Sequence, residues 1–353
     1  MSSVEEILYQ QLQQYLLDHR GDGLWVLDEN LASFAPSSPM PALSLLTNRF
    51  DIYVEMNSNN WAVEYSDFDF SPWADKSLDR IYYRVSKEKP VVHHIINQAV
   101  RCLKEEGQLI LLGAKNEGAK TYFDKARKLF GEGELIKAGK GAFVGIVTSS
   151  GGAQDELLDD KDYDQKRSIA EFEDQPLISK PGVFGWDKID LGSAYLANNL
   201  DSVYGRLANP QPRVLDLGCG YGYLSLRTWT QGASEIIATD NNAAAVISCR
   251  ENFQQWSVNG DVVADNCGLN LEGRFDLVVC NPPFHQGFSV DGGLTDRFLH
   301  SASKRLAVDG QAAFVVNRFI PLERKAKGVF AEIETFADNG SFKLVRLAKP
   351  IGR

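Results

Sequence analysis

Twice along this chain, short apolar runs that read as strands alternate with stretches of helical periodicity, and this repetition constrains the fold more than any other feature. The first set runs "GLWVLDE", "FDIYVEM", "DRIYYRV", a helix over "KPVVHHIINQAVRCLKEE", "GQLILLG", a second helix and "GAFVGIV". The second runs "PRVLDLG", "SEIIATD", "DVVADN", "FDLVVCN", a helix over "TDRFLHSASKRLAVD", "GQAAFVVN" and "FKLVRLA". Strands alternating with helices predict parallel sheets covered on both faces, so each set is expected to form an α/β domain. A length of 353 residues suits two such domains. "WVLDENLAS" stands in the first set where "RVLDLGCGYG" stands in the second, which points to an internal duplication in which only the second copy keeps its glycines. The alternative is the likeness that any two doubly wound domains share. Between the sets, Ser149–Gln175 is dense in acids and poor in large apolar residues, and reads as a linker. The expected domains are 1–150, a linker over 151–175, and 176–353.

Composition excludes several classes. No apolar run approaches the roughly 18 residues that a membrane span needs, and the N-terminal "MSSVEEILYQQLQQYLLDHR" reads as a first helix, not a signal peptide. Five cysteines without CxxC spacing suggest neither a disulfide framework nor a zinc site, so a reducing cytoplasm and no metal are expected. The net charge of −10 argues against a polyanionic partner. Between Ser301 and Arg353, however, ten Lys and Arg face five Asp and Glu, which leaves a basic rim and a solvated mixed surface both open.

"VLDLGCGYGYLSL" places Gly218, Gly220 and Gly222 after a buried strand and before a helix. In that context glycines allow a sharp turn and close backbone approach to a ligand. Asp216 precedes the loop, Asp240 ends the next strand suited to the two hydroxyls of a ribose, and Asp265 with Asn266 ends the one after, where a polar pair would meet an adenine amine. Each acid alone is an ordinary cap or turn former; their recurrence at consecutive strand ends is the signal. A dinucleotide site is the competing interpretation.

The fourth strand ends in "CNPPFHQG", where Asn281, Pro282, Pro283 and Phe284 make a stiff, displayed turn. An exocyclic amine conjugated to a planar ring is a poor nucleophile. Accepting its two N–H groups pushes it toward a tetrahedral geometry with an available lone pair, and Asn281 Oδ1 with the Pro282 carbonyl are the candidate acceptors. Phe284 would stack on the flat target, which must leave its helix to enter. For His285 a general base, a base-edge contact and a structural donor remain open.

"DLGCGYG" followed by "ATD" and "NPPF" resembles the fingerprint of Rossmann-like methyltransferases that use S-adenosylmethionine. With "PGVFGWDKIDLGSAYL" upstream and "VVNRFIPLERK…NGSFKLVRL" downstream, the chain resembles more narrowly the bacterial ribosomal RNA guanine-N2 methyltransferases, small-subunit methyltransferase C and large-subunit methyltransferase G. The resemblance implies two tandem methyltransferase-like domains, the first degenerate. It also implies S-adenosylmethionine as cofactor, ribosomal RNA or an assembled subunit as partner, and the N2 of one guanine as target. Pro181–Phe184 and Ile189–Ser193 favour the small-subunit member and its 16S rRNA, whereas "NRF" at Asn317–Phe319 and "LLGAKNEG" are nearer to the large-subunit, 23S-directed one. It adds Phe184, Ser193 and Arg318 as substrate contacts, with Asp190 and Gly192 beside them; a loop and a helix cap are the plainer reading of Phe184, Asp190, Gly192 and Ser193. A protein glutamine methyltransferase is the nearest enzymatic rival and usually carries Asn-Pro-Pro-Tyr; a noncatalytic RNA-binding factor is the other. A monomer is expected, since duplication supplies an internal partner.

Overall fold

In the computed structural model the two alternating sets form two sheets of one plan. The described residues are 3–31, 38–152, 156–283 and 292–351. The chain divides into two compact units, Met1–Tyr163 and Asp164–Arg353.

The first unit contains α1 (Val4–Leu17), β1 (Gly23–Leu27), β2 (Leu43–Thr47), α2 (Phe50–Ser58), β3 (Val63–Tyr65) and β4 (Leu78–Arg84), then α3 (Lys89–Cys102), β5 (Leu103–Ala114), α4 (Ala119–Phe130), β6 (Gly131–Gly139) and β7 (Ala142–Ser149). Its sheet order is β3-β2-β1-β4-β5-β7-β6, with β7 antiparallel to both neighbours. A hairpin of β8 (Arg167–Phe172) and β9 (Gln175–Ser179) opens the second unit. There follow α5 (Leu191–Ala197), α6 (Asp201–Tyr204), β10 (Arg213–Leu217), α7 (Tyr223–Thr230), β11 (Glu235–Asp240), α8 (Ala243–Gln255), β12 (Gly260–Ala264), β13 (Phe275–Cys280), α9 (Gly292–Arg305), β14 (Leu306–Asn317), α10 (Leu322–Ala326), β15 (Phe330–Asp338) and β16 (Phe342–Pro350). The order β12-β11-β10-β13-β14-β16-β15, again with the penultimate strand antiparallel, repeats the first sheet strand for strand. Central strands such as β1 and β13 are buried almost throughout, which is why they read as continuous apolar runs.

One expectation needs correction. "FDIYVEM" is not a strand; it forms α2, with Ile52 and Met56, four residues apart, buried on its inner face. The adjacent "LSLLT", β2, takes the strand position beside β1. The acidic stretch 151–175, read as a linker, makes packed contacts in its described part. Leu158 exchanges hydrogen bonds with the Asn97 side chain, at 2.9 and 2.8 Å. Tyr163 stacks on His94 and donates to Asp67 Oδ1 at 2.6 Å. In the second unit Phe172 and Leu177 join the core. A few well-placed apolar side chains outweigh the acidic composition around them.

Among the described residues no helix is long and apolar enough to cross a membrane, no His/Cys/Asp/Glu group is arranged to hold a metal, and all five cysteines are buried thiols.

Candidate active site

Ligands of open α/β sheets gather where the strands end. In the second unit β10 runs into the glycine loop, and Gly218, Gly220 and Gly222 adopt φ of +74°, +54° and +89°, a region that side chains rarely enter. Four of the loop's amides are already engaged. Gly218 N and Cys219 N both donate to Thr239 O at 2.9 Å, and Gly222 N donates to Cys219 O at 2.8 Å. Gly220 N donates to Asp240 Oδ2 at 2.9 Å. A phosphate cradle needs such amides unpaired and turned to the ligand. At these four amides the loop offers close approach without a phosphate nest.

Asp216 lies buried beside it. Its Oδ2 accepts from Ser225 Oγ at 2.7 Å, while Oδ1 is buried with no hydrogen-bond partner. Burial pushes this carboxyl up to about 7, so a cationic neighbour would favour its ionised form. Asp240 also accepts from Asn242 N at 2.9 Å. Asp265 is buried and braces the following turn, accepting from Leu269 N at 2.7 Å and Asn270 N at 3.0 Å. Asn266 beside it is partly exposed.

β13 delivers Asn281 next to this edge, because its Cys280 pairs with Leu217 of β10. Asn281 Nδ2 donates to Asp190 Oδ2 and to Ser193 Oγ, each at 2.9 Å. Pro282 is buried and Pro283 exposed. Phe284 and His285 lie outside the described residues.

The segment 181–190 is tied to the same edge. Asn242 Nδ2 donates to Gly182 O at 2.8 Å and Tyr221 Oη to Lys188 O at 3.2 Å. Phe184 on this segment is 79% exposed. Arg318 follows β14, its backbone N donating to Ser341 O at 2.8 Å and its side chain 3.3 Å from Asp338. Thus Asn281 and Ser193 meet directly, Phe184 stands exposed on the tethered segment 181–190, and Arg318 sits on the turn after β14.

Sequence reasoning missed Asn252. Fully buried on α8, it donates to Ile178 O at 2.8 Å and Tyr221 O at 2.7 Å and accepts from Ile178 N at 2.9 Å, joining β9 to the glycine loop. An Asn on the apolar face of α8, beside Cys249 and Phe253, was the available signal. Three of the C-terminal cations are committed to acids of the same stretch. Arg346 pairs with Glu332 and Glu334, Lys349 with Glu332, and Lys343 with Glu323. For these side chains the mixed surface, not the basic rim, is what forms.

The family described as methyltransferase small domain matches residues 174–346. That match lies within the second unit. Among curated relatives, ribosomal RNA small subunit methyltransferase C of Chromohalobacter salexigens is 36% identical over 173 residues, 49% of this chain and 51% of that protein. The match therefore spans about half of that relative's length. The protein of the same name from Shewanella halifaxensis is 27% identical over 279 residues, covering 76% and 77%. A T. thermophilus 16S rRNA N2 methyltransferase, solved in complex with AdoMet and guanosine, superposes with a TM-score of 0.82 at 23% identity over 98% of this chain and 91% of that one. That likeness gives this chain its fold: two tandem Rossmann-like domains, of which the methyltransferase small domain lies in the second.

Proposed function

We propose that this chain transfers a methyl group from S-adenosylmethionine to the exocyclic N2 of a guanine in small-subunit ribosomal RNA. The observation that carries this is the Asn281 carboxamide, fixed by two hydrogen bonds at the end of β13 and followed by two prolines. The names of the relatives and the ligands of the T. thermophilus protein point the same way.

The residues present fit the cofactor. The orphaned Oδ1 of buried Asp216 suits a cationic ligand, the glycine loop permits close approach, and the Asp240 carboxylate suits ribose hydroxyls. Asn266, partly exposed where Asp265 is buried, is the better placed of that pair for an adenine amine. When bound, S-adenosylmethionine supplies an electrophilic methyl group on a sulfonium.

The protein's work lies on the nucleophile. Asn281 Oδ1 and the Pro282 carbonyl accept the two N–H groups of the guanine amine, drawing its lone pair out of conjugation. The prolines keep both acceptors in register. Phe284 stacks on the base, and Phe184, Ser193 and Arg318 line its approach. Once the N–C bond forms, the surplus proton leaves the cationic nitrogen for water, so His285 is not required as a base. The chain acts as a cytoplasmic monomer on RNA or on an assembled subunit.

Tritiated methyl transfer to unmodified small subunits, large subunits and their naked RNAs tests this, with Asn281→Ala as control. The expected label is confined to guanine N2 of small-subunit RNA and falls by at least about 100-fold in the control. Label in the large subunit would move the assignment to its RNA. Absence of label from every RNA, despite cofactor binding, would overturn the RNA substrate and send the search to protein glutamines.

A further inference from the structure

We propose that Asp190 is a positioning residue for the transfer: it fixes which end of the Asn281 carboxamide faces the target amine. The inference rests on the function proposed above and adds a part to it.

A terminal amide has a soft, nearly two-fold torsion, so an unrestrained Asn presents oxygen or NH2 with little preference. For a target that donates two N–H groups the difference is decisive. The oxygen accepts one of them, whereas the NH2 meets them donor to donor. The Asn281 end facing 190–193 contacts Asp190 Oδ2 and Ser193 Oγ, both at 2.9 Å. Ser193 cannot choose between orientations, since a hydroxyl both donates and accepts. An ionised carboxylate only accepts, so the NH2 must face Asp190. Covalent geometry then puts Oδ1 on the other branch of the carboxamide.

Asp190 is itself held. Its Oδ2 also accepts from Ser193 N at 2.8 Å as the N-cap of α5. Gly192 keeps that first turn close to β16: a Cβ there would lie 3.1 Å from Asp190 Oδ2 and 3.1 Å from the Phe342 ring. One carboxylate thus starts a helix and sorts the two ends of an amide 91 residues away. A role in capping and a role in orientation make different predictions, and Asp190→Ser separates them. Serine is as good an N-cap as aspartate but cannot tell NH2 from oxygen.

The test measures single-turnover methyl transfer, RNA KM and cofactor affinity for the full chain, Asp190→Ser, Asn281→Ala and the double variant. A second readout, independent of turnover, is the side-chain amide resonance of Asn281 in 15N spectra, assigned by its loss in Asn281→Ala. For Asp190→Ser we expect kcat to fall about 10- to 100-fold, KM and cofactor affinity to stay within about 3-fold, and the amide resonance to shift or broaden. In the Asn281→Ala background the same change should have no further effect on rate, because Asp190 acts through Asn281. Wild-type kcat in Asp190→Ser, or an equal loss in both backgrounds, would overturn the proposal. If the wild-type chain methylates no RNA, the function proposed above falls while the amide spectrum still decides the orientation: an unchanged resonance in Asp190→Ser sinks it and a shifted one upholds it.

Discussion

At the scale of single residues, the site depends on positions where a side chain's chemistry or its absence is fixed by neighbours. Gly222 combines φ of +89° with a Cys249 Sγ only 2.7 Å from where a Cβ would stand, so Gly222→Ala should displace the loop from α8. We expect the cofactor Kd, measured calorimetrically, to weaken at least about 10-fold. Asp28 offers a test in the first unit. It is buried, its Oδ2 has no hydrogen-bond partner, and burial pushes its carboxyl up to about 7 from an ordinary 3.8. Between those values the unfolded chain has released the proton and the folded one still holds it. Stability must therefore fall as pH rises from about 4 to about 7, and the loss is absent below that window. Asp28→Asn removes the titration. Its melting temperature should match wild type near pH 4 and exceed it at pH 8 by the equivalent of roughly 2–4 kcal/mol; equal melting at both pH values would contradict the assignment.

At the scale of elements, the β8–β9 hairpin shows what the sequence reveals and what it hides. Phe172 stacks on Trp256 with ring centroids 5.1 Å apart, and the Arg227 guanidinium covers it at 5.1 Å. Phe172→Ala should lower the stability of the second unit by about 3–4 kcal/mol while leaving cofactor affinity at low temperature unchanged; thermal melting followed alongside binding would show this. Composition concealed the hairpin, because Lys161, Asp162, Asp164 and Glu171 dominate the stretch and the buried side chains are few. The central strands β1, β4, β5, β10, β11, β13 and β14 were legible because burial on both faces leaves apolar runs that few alternatives produce. The edge strands β6 and β15 were not: GEGELIKAG and FAEIETFAD, half exposed and charged, carry little pattern. α2 failed for another reason, since Phe50–Met56 satisfies both a two-residue and a four-residue spacing and only the place already taken by β2 decides between them. At the site, the glycine loop and the Asn-Pro-Pro turn could be read from local spacing. The Asp190–Asn281 bond could not, because nothing local links residues so far apart in sequence.

At the scale of the whole chain, two sheets of the same order and the same antiparallel strand carry different equipment at their strand ends. In the second unit β10 leads into three glycines of positive φ; in the first, β1 leads to Asp28 and a short 3-10 turn over Glu29–Leu31. At the end of β4, Arg84 stands buried, paired with Glu5 of α1 and with Glu117, so a fixed ion pair occupies the strand end corresponding to the one from which β13 presents Asn281. Cofactor binding is therefore expected of one unit only. Each hydrophobic core cluster is drawn from a single unit, so residues 164–353 expressed alone should fold and bind S-adenosylmethionine with a Kd within about 3-fold of the full chain. Residues 1–163 should fold and bind none. Titration calorimetry on the two fragments checks both statements. Binding by the first fragment would mean that its strand ends keep a competent site despite the missing glycines. Failure of the second to fold would mean that the paired units, not the isolated methyltransferase domain, are the smallest stable form of this protein.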